Sequence, residues 1–253
     1  MLFDTHTHLD DEKFDTDRDE LISTLNDAGI SLLVNIGADL KSSEASIELA
    51  EKYDFIYASV GVHPCDTKDL TDIDLLTLEK MAQHEKVVAI GEIGIDYYWD
   101  EPEREVQKEW FKKQLLLAKK LNMPYIVHDR DAHADTLEII KESGYTNGVM
   151  HCFSGSAGMA KEVIEMGMYV SLSGTVTFKN AKKIHEVARV VPLDKLLIET
   201  DSPYLTPEPF RGKRNNSALV RYTAEKIAEI RGLSFEEVAR ITMENGKRFY
   251  NIK

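Results

Sequence analysis

Two histidines separated by one threonine lie close to the start of the chain, in the segment MLFDTHTHLDD. A short apolar start followed by alternating residues predicts a strand, and side chains two residues apart in a strand point to the same face. His6 and His8 are therefore expected to converge. Two adjacent imidazoles are well suited to bind one divalent metal ion as paired ligands. Surface histidines at a chain terminus are the alternative, and the rest of the chain must decide between the two.

Other polar residues follow apolar segments in the same way. Glu92 comes at the end of VVAIGE, before a glycine-containing turn, and His128 ends YIVH. His151 comes at VMHCF, and Asp201 follows LLIET. Each of these residues alone is consistent with a hydrogen-bonded structural role. Together they predict one set of metal ligands, namely His6, His8, Glu92, His128, His151 and Asp201.

The types of these ligands indicate the chemistry. Imidazole and carboxylate groups without thiolate suit Zn²⁺, Mn²⁺ or Mg²⁺. Six ligands are too many for one catalytic ion that keeps a position open, so we predict two divalent ions with Glu92 as the bridging carboxylate. Such ions generate hydroxide from bound water and stabilise charge on substrate oxygens, which predicts a hydrolase. Glu92 and Asp201 are the predicted catalytic residues, and Asp201 would also orient or deprotonate the attacking water.

Eight short β-rich segments must position these residues, and each is followed by a turn and a helix-like stretch. The segments are LFDTH, SLLVNIG, IYASVG, VVAIGE, PYIVH, GVMHCF, MYVSLSG and KLLIET. Apolar strands separated by helices imply parallel pairing. The predicted ligands fall at the carboxyl ends of several strands, as in (β/α)₈ TIM-type barrels. An open doubly wound sheet is the alternative, although it would place its ligand at a single crevice. We therefore predict one barrel domain over residues 1–253.

Composition and charge limit the classes of protein that remain. The chain is 43% hydrophobic and 30% charged, which is typical of a globular protein. No apolar segment approaches the ~20 residues that span a bilayer, and the start lacks a signal peptide, so we predict a cytoplasmic location. Cys65 and Cys152 are too few for a disulfide framework and are expected to be reduced. The net charge of -13 gives no overall attraction for a polyanion, so a phosphate-bearing substrate must be attracted locally.

Several motifs in order resemble one family. They are DTHTHLD, GVHP, GEIGIDYY, VHDRDA, HCFSG, LLIETDSPYL, RGKRN and ENGKRFY. Along nearly its whole length the chain resembles the TatD-type metal-dependent deoxyribonucleases of the amidohydrolase superfamily. The resemblance implies a distorted (β/α)₈ barrel and exonuclease-type or repair-type cleavage of phosphodiester bonds in DNA. It also implies a ligand assignment, in which one ion is held by His6, His8 and Asp201, the other by His128 and His151, and Glu92 bridges them.

Substrate contacts are predicted in two loops. By the same resemblance, His63 in GVHPC is a phosphate contact, and the alternative is a buried histidine bonded to the backbone. The loop PEPFRGKRNN gathers Arg211, Lys213 and Arg214 directly after the segment that carries Asp201, which favours a phosphate clamp over a solvated basic turn. The chain departs from the family pattern at Cys65, where a second histidine is common, and this departure leaves the choice of substrate open.

Four aromatic residues near these loops are candidates for stacking on nucleobases, with packing against the barrel as the alternative: Tyr97, Tyr98, Trp99 and Phe210. The predicted partner is DNA, as a single strand or a strand end, with no membrane and no obligate protein partner. Two other functions remain open. One is hydrolysis of a small ester, lactone or amide on the same scaffold, although Glu92 replaces the carbamylated lysine of many such relatives. The other is a non-catalytic metal-binding barrel.

Overall fold

The computed structural model describes residues 1–99 and 101–253. Eight strands form one sheet in the sequential order β1 to β8. Pairing is parallel between β1 and β2, between β3 and β4, from β4 through β5 to β6, and between β7 and β8. The strands are β1 (Leu2–Thr7), β2 (Ile30–Ile36), β3 (Ile56–Val60), β4 (Val87–Asp96), β5 (Tyr125–Arg130), β6 (Gly148–Met150), β7 (Tyr169–Leu172) and β8 (Leu196–Ile198).

Helices alternate with the strands, and two helices follow the last strand. They are α1 (Arg18–Leu25), α2 (Leu40–Lys52), α3 (Asp72–Met81), α4 (Arg104–Leu121), α5 (His133–Ser143), α6 (Ala157–Glu165), α7 (Lys182–Val190), α8 (Val220–Arg231) and α9 (Phe235–Phe249). Eight parallel strands in sequential order with helical crossovers define a (β/α)₈ TIM barrel, so the predicted fold class is confirmed. The chain divides into two compact units, Met1–Asn35 with Cys152–Lys253 and Ile36–His151. The prediction of a single domain stays a prediction.

The first unit contains β1, β7 and β8, which are buried along their whole lengths. Phe3 on β1 packs against Tyr250, which follows α9, with ring centroids 5.9 Å apart. The Tyr250 hydroxyl donates to the carbonyl of Thr5 at 2.8 Å, so its polar end is satisfied inside the core. These contacts hold β1, and with it the predicted ligands His6 and His8, against the C-terminal helix.

The second unit is built around β4, whose ten residues are buried except for one that is half-buried. The strand is apolar over most of its length, as expected for a strand covered on both faces. Trp110, Phe111 and Leu115 of α4 are buried and form the apolar face of that helix. Strand β4 carries Glu92 as the sixth of its ten residues and ends at Asp96.

No helix in the described ranges is both long and apolar enough to cross a membrane. The cytoplasmic location stays a prediction.

Candidate metal centre

Three predicted ligands of the first unit converge. Nε2 of His6 and Nε2 of His8 are 3.2 Å apart. Each of these nitrogens lies 3.5 Å from Oδ1 of Asp201. Two ligands that each lie about 2.1 Å from one ion at a tetrahedral angle are ~3.4 Å apart. The three atoms therefore have the spacing of ligands on one face of a divalent ion.

The backbone after β8 brings Asp201 to the end of β1. The N–H of Asp201 donates to the carbonyl of His6 at 2.9 Å, and the N–H of His8 donates to the carbonyl of Ser202 at 2.8 Å. The hydroxyls of Thr7 and Ser202 are 2.6 Å apart. Asp201 has a φ of 54°, in the left-handed region that few residues other than glycine adopt. Such a conformation persists only where the surrounding contacts impose it, and it is common at functional sites.

Three predicted ligands of the second unit also converge. Oε1 of Glu92 lies 2.6 Å from Nδ1 of His128 and 2.7 Å from Nε2 of His151. The two imidazole nitrogens are 3.5 Å apart. Glu92 is 3% exposed and His151 is 7% exposed, so the carboxylate faces imidazoles in a region from which most water is excluded. This set of two imidazoles and one carboxylate suits the same hard or borderline metal ions as the set formed by His6, His8 and Asp201.

Asp96 is a site residue that the sequence reasoning missed. Its Oδ2 lies 3.0 Å from Nε2 of His128, and its Oδ1 accepts the backbone N–H groups of Tyr98 at 2.8 Å and Trp99 at 3.1 Å. Burial opposes a charge on His128, but the hydrogen bonds with Asp96 and Glu92 outweigh it and raise the pKa of His128. A carboxylate on the second nitrogen of a metal-binding histidine fixes its tautomer and ring orientation.

The sequence signal that could have identified Asp96 is its place at the end of the apolar segment GEIGID. A carboxylate at the end of a buried strand needs a hydrogen-bond or charge partner.

Two glycines allow β4 to pass close to β5 beside these ligands. In the register of the two strands, Gly94 is paired with His128. A Cβ on Gly94 would lie 1.9 Å from the carbonyl oxygen of His128, and one on Gly91 would lie 2.7 Å from Cβ of Ile126. Both glycines also have a positive φ, of 150° and 153°. A side chain at Gly94 would collide with the backbone of His128, and one at Gly91 would collide with Ile126, so β4 and β5 could not keep this close approach.

Helix α4 supplies two buried amides that hold the loops of the site. The side chain of Gln107 accepts the N–H of Asp96 at 2.8 Å and donates to the carbonyl of Asp96 at 3.0 Å. Gln114, seven residues later and so on the same helix face, makes the same pair of bonds to Val62, at 2.8 and 3.0 Å. Val62 directly precedes His63. Both amides are therefore structural supports for the site, and sequence reasoning did not find them.

His63 lies within the second group. Its Nε2 is 4.0 Å from Oε1 of Glu92, and its ring contacts that of His128 edge-on with centroids 4.3 Å apart. Its Nδ1 accepts the N–H of Cys65 at 3.2 Å, so the ring carries its proton on Nε2 when neutral. Burial, together with the adjacent His128, lowers the pKa of His63 to about 3. The backbone contact considered as the alternative is present, and Nε2–H still faces the ligand group as a donor.

Cys65 is half-buried beside this group, and ligand atoms of His63, Cys65 and Asp96 lie within 4.8 Å of one another. Burial and the charge of Asp96 raise the pKa of the Cys65 thiol to about 12. The thiol is therefore protonated at neutral pH. Cys65 and Cys152 form no disulfide within residues 1–99 and 101–253.

The three basic residues of the predicted clamp have different surroundings. Arg214 donates to both oxygens of Asp17, at 2.8 and 2.5 Å, and to the carbonyl of Lys13. The positive charge of Arg214 is compensated by the Asp17 carboxylate, and the pairing lowers the pKa of Asp17. Arg211 and Lys213 are exposed at the surface. The phosphate clamp stays a prediction, and Arg211 and Lys213 are the two residues of the loop whose charges are available to bind a phosphate.

The four candidate aromatic residues also differ. Tyr97 is half-buried, its hydroxyl donates to Asp135, and its ring is covered by the guanidinium of Arg104. Phe210 packs edge-on against Tyr222 with centroids 5.2 Å apart. Tyr98 and Trp99 are 56% and 65% exposed. Tyr98 and Trp99 are the two exposed residues among the four, and the guanidinium of Arg130 lies over the ring of Tyr98.

The two ligand groups fit divalent metal ions by donor type, spacing and burial. His6, His8 and Asp201 can hold one ion, and Glu92, His128 and His151 can hold an ion through the second unit alone. The predicted role of Glu92 as a bridge, the number of ions and their identity stay predictions.

A barrel with groups of imidazole and carboxylate ligands is the structure of a metal-dependent hydrolase. A family model described as "TatD related DNase" matches residues 3–251. The chain therefore belongs to the TatD family of metal-dependent hydrolases. The resemblance stated from the motifs is confirmed.

Individual relatives agree with this assignment. YabD of Bacillus subtilis, an uncharacterised metal-dependent hydrolase, is 50% identical over 254 residues, which cover 100% of both chains. YcfH of Escherichia coli K12, also an uncharacterised metal-dependent hydrolase, is 40% identical over 257 residues, which cover 100% of this chain and 96% of the relative. The crystal structure of YJJV, a TatD homologue from Escherichia coli K12, matches with a TM-score of 0.94 at 30% identity and covers 100% of this chain and 98% of that one.

Proposed function

We propose that this protein hydrolyses phosphodiester bonds in DNA with the help of two divalent metal ions. The observation that carries the proposal is the ligand spacing of His6, His8 and Asp201, in a chain that matches the family of TatD related DNases. Glu92, His128 and His151 would hold the second ion. When bound, such ions lower the pKa of a water molecule and neutralise charge on phosphate oxygens.

The protein's own residues prepare the site for this reaction. Asp96 holds the proton of His128 on Nε2, which leaves Nδ1 available as a metal ligand. His63 carries its proton on Nε2 and can donate it in a hydrogen bond to a phosphate oxygen. The side chain of Asp201 is 15% exposed, so its carboxylate can orient an attacking water as well as bind an ion.

The proposed substrate is a single strand or a strand end. The net charge of -13 repels DNA at long range, so attraction must come from local groups. Arg211 and Lys213 are exposed cations on the loop that follows Asp201. Contacts from such groups to phosphates give affinity without reading the base sequence. Cleavage is accordingly expected to be tolerant of sequence and sensitive to salt.

The test is degradation of end-labelled DNA by purified protein that has been treated with a chelator. Single-stranded and double-stranded oligonucleotides are compared, with Mg²⁺, Mn²⁺ or Zn²⁺ added back. Glu92→Ala should abolish cleavage because it removes the carboxylate shared by two imidazoles. Asp54→Asn is the matched control, since it neutralises an exposed carboxylate outside the candidate site. Thermal unfolding of both variants shows whether the fold is retained.

Metal-dependent shortening of the DNA that is absent only in Glu92→Ala would support the proposal. Metal binding without cleavage of DNA would contradict it. A screen of small esters, lactones and amides would then separate a hydrolase of small molecules from a non-catalytic metal-binding barrel.

A further inference from the structure

Tyr98 and Trp99 form an exposed aromatic pair just after β4. Their side chains are 56% and 65% exposed, whereas Trp110, the other tryptophan of the chain, is 6% exposed. The two rings meet edge-on with centroids 5.2 Å apart and an interplanar angle of 89°. Large apolar rings that stay exposed beside a candidate site indicate a surface that binds a ligand.

Arg130 adds a positive charge to this pair. Its guanidinium lies 3.9 Å from the centroid of the Tyr98 ring. Arg130 is exposed and forms no ion pair with a carboxylate in residues 1–99 or 101–253. A guanidinium stacked on an aromatic face keeps its N–H groups available for hydrogen bonds in its own plane. The cation is thus held in place by a ring and remains able to bind an anion.

Backbone and side-chain contacts connect this surface to the second ligand group. The N–H groups of Tyr98 and Trp99 donate to Oδ1 of Asp96, whose Oδ2 lies 3.0 Å from Nε2 of His128. Arg130 is two residues beyond His128 on the same strand and is paired with Asp96 in the register of β4 and β5. Two residues of strand span about 7 Å. A molecule bound at His128 therefore lies within reach of the aromatic pair and of Arg130.

We propose that Tyr98, Trp99 and Arg130 form a platform for one nucleobase and one adjacent phosphate of the DNA strand. The base stacks on the exposed ring of Trp99, and the guanidinium of Arg130 contacts the phosphate. Stacking on an aromatic ring accepts every base, which suits a hydrolase that does not select a sequence. The inference rests on the proposed function, because it names how that substrate is held.

Fluorescence of Trp99 gives a direct measurement. The Trp110→Phe variant leaves Trp99 as the single tryptophan. This protein is titrated with a single-stranded oligonucleotide in the presence of a chelator, so that binding is measured without cleavage. We expect saturable quenching of Trp99 that weakens with added salt. An oligonucleotide with the same phosphates but abasic sugars should bind more weakly and quench less.

Variants then test the energetic contribution of the platform by anisotropy of a labelled oligonucleotide. Trp99→Ala should weaken binding by roughly 5- to 150-fold, the usual range for loss of one base-stacking ring, and Trp99→Phe should recover most of the affinity. Arg130→Ala should weaken binding and reduce its salt dependence, with Arg130→Lys intermediate. Leu116→Ala, which removes an exposed apolar side chain on α4, is the matched control and should bind normally.

Kinetics separate the platform from a structural role of the same residues. Trp99→Ala should raise KM for the oligonucleotide by a larger factor than KM for a small diester without a base, because the backbone bond to Asp96 remains. Cleavage of DNA by the Trp110→Phe variant without any quenching of Trp99 would overturn the inference while the proposed function stands. Binding with quenching but no cleavage would support the platform and overturn the nuclease proposal. Neither binding nor cleavage would overturn both.

Discussion

Replacement of Asp96 by asparagine tests whether this residue sets the tautomer of a metal ligand. Asparagine has nearly the same volume, and its Oδ1 can still accept the N–H groups of Tyr98 and Trp99, which Asp96 binds at 2.8 and 3.1 Å. The amide nitrogen then faces Nε2 of His128, where a carboxylate oxygen now lies at 3.0 Å. Two donors cannot share this contact, so the proton of His128 moves to Nδ1, the nitrogen that lies 2.6 Å from Glu92.

The size of the effect follows from this geometry. If the amide flips instead, its nitrogen meets the two backbone N–H donors, so neither orientation restores the native arrangement. Loss of such a supporting carboxylate typically weakens metal binding by 10- to 100-fold. This range corresponds to about 1.4–2.7 kcal/mol. Asp96→Asn should therefore weaken metal binding at the candidate group of Glu92, His128 and His151 by that factor and leave metal binding at the group of His6, His8 and Asp201 unchanged.

The assay is a competition titration with a chromophoric chelator, which resolves the two binding steps, followed by the concentration of metal that gives half-maximal cleavage. Asp54→Asn is the control, since Asp54 is exposed and lies outside the candidate site. Unchanged affinity in both steps would refute the positioning role of Asp96. If both metal-binding steps are weakened equally and the melting temperature falls sharply, the positioning role of Asp96 is refuted in favour of a structural role.

Three further predictions concern the surroundings of the site. Arg211→Ala with Lys213→Ala should raise KM for DNA and flatten its salt dependence, because exposed cations bind phosphates; an unchanged KM would remove the clamp. Cys65→Ser should retain activity within about twofold in assays with Mg²⁺, since a thiol with a pKa of about 12 is neutral and Mg²⁺ prefers oxygen ligands; loss of activity would identify Cys65 as a ligand. Arg214 lowers the pKa of Asp17 in the folded protein, so their pairing stabilises the fold above about pH 4 and this contribution is lost as the pH falls through the lowered value. The difference in melting temperature between wild type and Asp17→Asn should accordingly be small and positive at pH 7 and disappear in acid, and a difference independent of pH would contradict the pairing.

Sequence patterns predicted the fold class and the set of candidate ligands because both depend on periodicity, whereas the division of those ligands into two groups came from the family resemblance. Apolar strands alternating with amphipathic helices leave few arrangements other than a parallel barrel, and in a barrel the carboxyl ends of the strands carry the site. His6 and His8 could be paired from their spacing alone, since residues two apart on a strand share a face. Nε2 of His6 and Nε2 of His8 each lie 3.5 Å from Oδ1 of Asp201, and the role of these residues as metal ligands stays a prediction.

The residues that escaped prediction act through contacts distant in sequence. Gln107 and Gln114 look like ordinary polar residues of an amphipathic helix, and only packing shows that their amides bind the backbone beside Asp96 and His63. The ion pair of Arg214 also escaped prediction. The sequence shows a cluster of basic residues in one loop, but it does not show that Arg214 pairs with the distant Asp17.

By itself, the sequence determined which side chains could bind metal and which strands carry or directly precede them, because residue type and strand periodicity are local properties. Only the tertiary structure decided that Asp96 rather than solvent contacts Nε2 of His128, and that Tyr98 and Trp99 remain exposed while Tyr97 is covered. The physical reason is that hydrogen-bond partners and burial depend on which chain segments meet in space. Residue type constrains such meetings, and packing selects among them.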